Sequence, residues 1–321
     1  MNDLLDDTPM YRIFNLFDLV NTISTEKIRL SQASRMQDAN ELFGLYFDLL
    51  RSNFGPWNVD DINKVQQSFR EAQSHHYITC WTRVPDNIAV WSLYSPAKDA
   101  IQAHTTFGSI RRALYSHFEA FPYARAYELE PNDPMDLFLP PNIGPVSYID
   151  FRNEFGRLKQ QCIEYFNERD HWFKAQINRK KNNNAQIQQT DLRNISMGWI
   201  EKEDEIRNRI FQAPRSGGAL LKDHRYAHEK EVRFVLSLRR RDGRSKEECE
   251  AHPMAGLDDP SRHPEAKLCP PNVFVPFSRS EFSGFQVDGR MEGYKLEAIN
   301  SILSEFGFTA SRNDAFSPIE I

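Results

Sequence analysis

Along this chain the spacing of apolar residues switches between two and about 3.6, so short strands and helices are expected to interleave. Residues 11–14 read as a first strand. Apolar side chains at 16, 19, 20 and 23 then follow helical spacing, and 27–31 alternates like a half-buried strand. A polar stretch at 34–41 precedes a helix expected at 42–50, where Asp38, Asn40 and Glu41 read as helix-start residues. Ile62, Val65, Phe69 and Ala72 form one stripe of a helix at 59–74. The β-rich stretch 76–82 follows, with Tyr77, Thr79 and Trp81 on one face and Ile78, Cys80 and Thr82 on the other. Further on come a short helix or turn at 87–95, in which Trp91 and Tyr94 share a face, a strand at 100–105 and a helix at 110–117. A loop marked by Pro131, Pro134, Pro140 and Pro141 leads to a strand at 145–150.

From 155 to about 211 the period is helical and the composition polar, broken by a basic, Asn-rich connection at 178–184. This predicts a helical insertion at about 154–212 within a single α+β domain covering 1–321. A strand is expected over 227–238, and Glu229 and Glu231 stand at its start. Residues two apart on a strand face the same way, so both carboxylates are expected on one side of the sheet. Two acids so placed raise each other's proton affinity, and the arrangement is costly unless something uses it. A wet sheet edge is the plain alternative. Asp242-Gly243 signals a hairpin turn inside a basic tip, 239–244, and the chain ends with strands at 273–277 and 282–287 and a helix at 295–306.

Composition narrows the classes. With 321 residues, 40% hydrophobic and 12% aromatic, the chain supports a core without disulfide or metal staples. A net charge of −5 gives no whole-molecule attraction to nucleic acid or anionic lipid. Cys80, Cys162, Cys249 and Cys269 are scattered, which fits a reducing compartment. The acidic start lacks the features of a signal peptide and no apolar run reaches a membrane span, so a soluble cytoplasmic protein is expected. Cys249, His252, His263 and Cys269 carry zinc-ligating atoms but match no tight knuckle, so no metal is expected.

Phosphate loops of the Walker type, Gly-x-Ser-x-Gly and His-Glu-x-x-His are all absent. A Tyr-Arg strand comes early, a Thr- and aromatic-rich strand in the middle and Glu-x-Glu before an apolar strand late. In that order the chain resembles the arginine, serine or threonine, glutamate class of ADP-ribosyltransferase folds. The resemblance implies split mixed or antiparallel sheets with surrounding helices, and NAD in a cleft between them. By position, Arg12 would bind the NAD diphosphate or ribose, and Thr79 or Thr82 would brace the nicotinamide side. Trp81 or Tyr77 would stack on a ring, Glu231 would hold the nicotinamide ribose hydroxyl, and Glu229 would orient or deprotonate the acceptor. A fixed carboxylate beside the ribose suits the cation that forms as the nicotinamide bond breaks, and a bidentate guanidinium suits a diphosphate.

Tyr11-Arg12, Trp91-Ser92-Leu93-Tyr94, Tyr148 and Glu229-Lys230-Glu231-Val232-Arg233 together resemble a widespread bacterial family of unknown function, over about residues 11–305. The chain departs from that family's polar segment, having Asp38-Ala39-Asn40-Glu41 without Pro-Phe. Tyr11 and Tyr94 complete the expected cofactor-binding set. These resemblances imply an NAD-consuming transferase acting as a toxin or antiviral (phage) defence effector. Its acceptor would be nucleic acid or protein, and an inhibitory partner would restrain it. The alternative is a non-enzymatic binding or regulatory module in which Glu229 and Glu231 pair with Arg12 or Arg233 as structural salt bridges.

Overall fold

The computed structural model describes residues 4–36, 41–52, 59–85, 87–122, 136–182, 188–210, 218–240 and 269–314. The elements in order are β1 (Pro9–Phe14), α1 (Leu16–Thr25), β2 (Lys27–Gln32), α2 (Phe43–Ser52), α3 (Val59–His75), β3 (His76–Thr82), α4 (Ile88–Tyr94), β4 (Ile101–Thr106) and α5 (Phe107–Ala120). They continue with β5 (Asp136–Phe138), β6 (Asn142–Pro145), β7 (Ser147–Ile149), α6 (Phe151–Asn182), α7 (Gln189–Ile210), β8 (Leu221–Asp223), β9 (Glu231–Arg240), β10 (Asn272–Pro276), β11 (Gly284–Val287), α8 (Gly293–Ser304) and β12 (Ala310–Arg312). The chain divides into two compact units, one of residues 1–41, 70–148 and 225–321, the other of 42–69 and 149–224.

The first unit is an α+β layer around a mixed sheet whose main path runs β10-β2-β3-β1-β4-β11-β12. Every strand pair in it is antiparallel except β11 with β12. Strand β9 pairs with β3 along 76–82, and its other edge is taken by β6 and then β5. With β9 filling one edge of β3, β2 and β1 share the opposite edge. Ser31 and Gln32 of β2 pair with Ile78 and Tyr77, whereas β1 meets β3 at Tyr11 and Thr82. Between these contacts β1 and β2 diverge, and the sheet forks along Thr79, Cys80 and Trp81.

Strand alternation sorts the side chains as the sequence predicts for β3. Tyr77 and Trp81 join Met10, Phe14, Ile28, Leu30, Val232, Phe234 and Leu236 in the main core, against Leu19 and Ile23 of α1, Ile110 and Leu114 of α5 and Ile299 and Leu303 of α8. Burying such aliphatic side chains contributes roughly 1.5–3 kcal/mol each. Helix starts are fixed by side-chain caps: Asn15 accepts from the Asp18 amide, Asn87 from Ala89 and Val90, and Thr106 from Ser109. The Thr106 cap is why α5 begins at Phe107 rather than at 110. In α4, Trp91 is wholly buried while Tyr94 is 52% exposed, so the two do not share an environment. Tyr94 is the last residue of α4, which places it at the rim.

The second unit is mainly helical in its described part, with the short strand β8 near its end. Tyr46, Phe47 and Leu50 of α2 pack with Val65, Phe69 and Leu158. The helices expected around 155–211 are α6 and α7, joined by a core of Tyr165, Trp199 and Ile210 with Phe166, Trp172 and Phe173 packed against it. Tyr165 Oη donates to Glu203 at 2.8 Å, and Arg209 pairs with Glu168 across the two helices. Among the described residues no helix is long and apolar enough to cross a membrane. The Asp242-Gly243 turn, most of the 239–244 tip, Cys249, His252, His263, Asp38 and Asn40, much of the Pro131–Pro141 loop and the end of the 178–184 connection lie outside the described residues.

Candidate functional site

The late Glu-x-Glu is built differently from the sequence expectation. Residues 224–229 form a short 3-10 turn, Lys230 has φ +47°, and β9 starts only at Glu231. The left-handed backbone at Lys230 breaks the alternation, so Glu229 is not a strand residue two places before Glu231. Its carbonyl is instead taken by Thr82 Oγ1 at 2.7 Å. Both carboxylates are nevertheless buried, at 5% exposure each. Tyr94 Oη donates to Glu229 Oε1 at 3.5 Å, and Asn87 Nδ2 caps the His228 carbonyl.

Glu231 stands opposite Thr82 in the β3–β9 ladder. Its amide donates to Tyr148 Oη at 2.8 Å and its carbonyl accepts from the Val146 amide at 3.0 Å. Its Oε1 accepts from Arg233 Nε at 2.6 Å. Arg233 is wholly buried and also forms an ion pair through Nη2 with Glu41. Glu41 is 3% exposed and lies before α2. Its carbonyl accepts from the buried Gln73 Nε2 at 2.7 Å, and the next residue, Leu42, has φ +60°. Glu41 is therefore an ion-pair partner rather than the helix-start residue the sequence suggested. Burial opposes the charge on Arg233, but Glu231 and Glu41 outweigh it and keep the guanidinium protonated above its ordinary range. Cys80 faces Arg233 in the ladder, and burial followed by the charges of Glu231 and Glu41 pushes its thiol well up.

Arg12 has a different environment. Its Nη1 donates to Thr79 Oγ1, which also accepts from Trp81 Nε1 at 3.2 Å, and lies 3.5 Å from the Arg29 carbonyl. Its guanidinium sits 4.7 Å from the Phe14 ring centroid and 6.0 Å from that of Trp81. Among the described residues no carboxylate pairs with it; Asp18 binds Arg29 instead, at 2.9 and 3.0 Å. Burial lowers Arg12 to about 10, with Cys80, Arg29, Asp18 and Tyr94 acting on it electrostatically.

The expected set thus falls into two groups. Pleating puts Arg12, Thr79 and Trp81 on the core face at the fork. Tyr11, Thr82 and Glu231 lie on the opposite face, in a row with His104 across β4, β1, β3 and β9. Tyr11 packs edge-on to His104, ring centroids 4.9 Å apart. On this second side Cys80 adjoins Glu231 and Tyr94 touches Glu229. Sequence reasoning missed Glu41 and Cys80 as neighbours of Glu231. The signal for Cys80 was its even position on the β3 face shared with Thr82; Glu41 carried none. Among the described residues no group of three His, Cys, Asp or Glu side chains is placed to hold a metal ion.

Comparison of the chain with protein-family models, curated proteins and solved structures returned no significant match. Fold and site geometry therefore carry the functional reading.

Proposed function

We propose that the chain is an NAD-dependent ADP-ribosyltransferase or NAD-consuming enzyme on an ADP-ribosyltransferase-like split sheet. The observation that carries this reading is Arg12: a half-buried, desolvated guanidinium at the fork of the sheet whose hydrogen bonds, among the described residues, go to a hydroxyl and a peptide carbonyl. A desolvated cation without a paired carboxylate is costly, and a diphosphate that accepts from it relieves the cost. Thr79 sets the direction of the fork's donor, and the buried Trp81 holds the Thr79 hydroxyl in place. Tyr11, Thr82 and Tyr94 line the approach to the carboxylates.

In this reading the bond between nicotinamide nitrogen and the ribose anomeric carbon breaks, and its electron pair leaves with nicotinamide. Glu231 stabilises the resulting cationic ribose, and Glu231 with Glu41 outnumbers the one guanidinium between them. An oxygen or nitrogen lone pair of the acceptor then bonds to that carbon, and Glu229 takes the acceptor's proton. The acceptor is a nucleic acid or a protein, and the toxin or phage-defence role with a restraining partner goes with this activity.

A second reading is favoured by Arg233, whose complete burial between Glu231 and Glu41 also suits a structural ion triplet in a non-enzymatic binding module. Incubation with NAD labelled in the nicotinamide ring separates the two. The transferase releases nicotinamide, Glu231→Gln abolishes release while retaining NAD, and Arg12→Met loses NAD binding. NAD retention by wild type with no nicotinamide released, with or without cell extract as acceptor, would leave the binding module; no NAD bound at all sinks both uses of Arg12.

A further inference from the structure

Glu41 reaches Arg233 from a separate part of the chain. Its backbone is held by the amide of a buried glutamine, Gln73 on the last turn of α3, and its carboxylate by Arg233. Non-glycine residues with left-handed backbone sit directly beside both carboxylates on Arg233: Leu42 at φ +60° follows Glu41, and Lys230 at φ +47° precedes Glu231. Such positions persist where surrounding structure over-determines them. A surface helix-start residue needs none of this.

We infer that Glu41 is a positioning residue that sets the orientation and charge of the Glu231 carboxylate through Arg233. The inference rests on the reading of Glu231 as the carboxylate that meets the ribose. Arg233 has one positive charge and serves two carboxylates, by Nε to Glu231 Oε1 and by Nη2 to Glu41. Glu41 therefore does two things. It fixes the far side of the guanidinium, so that Nε presents to Oε1 of Glu231 and holds the carboxylate plane in one orientation. It also takes part of the positive field that Glu231 would otherwise have to itself, keeping Glu231 electron-rich. Among the groups that face Glu231 are Cys80 from β3, Tyr148 on its amide, and Tyr11 and His104 further along the row; Glu229, bonded to Tyr94, precedes it in the chain.

The test is carboxyl-carbon NMR titration of protein labelled at the Glu side-chain carboxyl, with the Glu231 signal assigned by its loss in Glu231→Gln. Wild type is compared with Glu41→Gln, which removes the charge and keeps the shape, and Glu41→Asp, which keeps the charge and withdraws it from Arg233. Glu41→Gln is expected to lower the Glu231 midpoint by about one pH unit, with Glu41→Asp intermediate. In the NAD assay the acid limb moves the same way, kcat falls roughly tenfold or more with KM little changed, and Glu41→Asp restores part of the rate. A merely structural Glu41 lowers the melting temperature and moves neither midpoint nor limb. An unmoved Glu231 titration in folded Glu41→Gln overturns the inference, and if that variant does not fold, an unmoved titration in Glu41→Asp does. A moved titration in a protein that never releases nicotinamide upholds the coupling and removes the NAD reading, so the two failures are told apart.

Discussion

Two desolvated arginines on one sheet, Arg233 wholly buried and Arg12 half-buried, have opposite electrostatic settings. Arg233 on β9 is shared by Glu231 and Glu41, which outweigh its desolvation, whereas Arg12 on β1 has a threonine hydroxyl, a peptide carbonyl and two aromatic rings, and desolvation lowers it to about 10. The difference teaches where to look for structure and where for a ligand. A guanidinium already satisfied by two carboxylates holds its surroundings together, and one left with neutral partners is prepared for an anion.

The comparison breaks most readily at Arg233. Arg233→Met leaves Glu41 and Glu231 buried without a counter-ion and should cost about 3–5 kcal/mol of unfolding free energy in urea titrations. A cost under 1 kcal/mol would mean the triplet holds nothing together. Arg12→Met should do the reverse, leaving stability unchanged or raising it by about 1 kcal/mol, because it removes an unpaired charge from a core face. Its effect should appear on ligand addition. ADP-ribose at about 100 times its Kd should stabilise wild type by roughly 2.7 kcal/mol and leave Arg12→Met where it was. Equal stabilisation of both proteins would separate the ligand from Arg12. Thr79→Val should cost about 1 kcal/mol, since Trp81 Nε1 and Arg12 lose one shared acceptor, and should weaken ADP-ribose binding in the same titration.

The smallest effect concerns neither arginine and serves as the control. Burial lowers the pKa of His117 on α5, beside Phe121 and Phe138. Above its ordinary value near 6.5 both folded and unfolded forms are neutral and the group contributes nothing. As pH falls below that value the unfolded state takes up the proton first, so stability declines until the folded histidine also titrates. His117→Leu should flatten that decline between about pH 7 and 5 without moving the ligand response. An identical decline in the variant would place its origin elsewhere.

Much of the fold was legible because its cause is local. The β3 alternation, the stripe of α3 and the helical run that becomes α6 and α7 each depend on residues within a turn or two of one another. Arg12 and Thr79, expected to face one cleft, meet in a hydrogen bond because both lie on strands with clear alternation. The Glu-x-Glu was misread in detail: its spacing implied a strand, but Lys230 turns left-handed and Glu229 belongs to a preceding turn. Trp91 and Tyr94, expected three apart on one helix, both lie in α4, Trp91 buried and Tyr94 exposed at its end.

From the sequence alone came the identities of the charged residues, the periods of the strands and helices, and the presence of two carboxylates ahead of an apolar strand. Only the tertiary structure decided which charges compensate which. Register sets Arg233 opposite Cys80, the chain before α2 brings Glu41 to Arg233 across nearly two hundred residues, and the fork between β1 and β2 leaves Arg12 hydrogen-bonded to a hydroxyl and a peptide carbonyl. Electrostatic pairing depends on distance and burial after folding, and neither is a property of neighbouring residues in the chain.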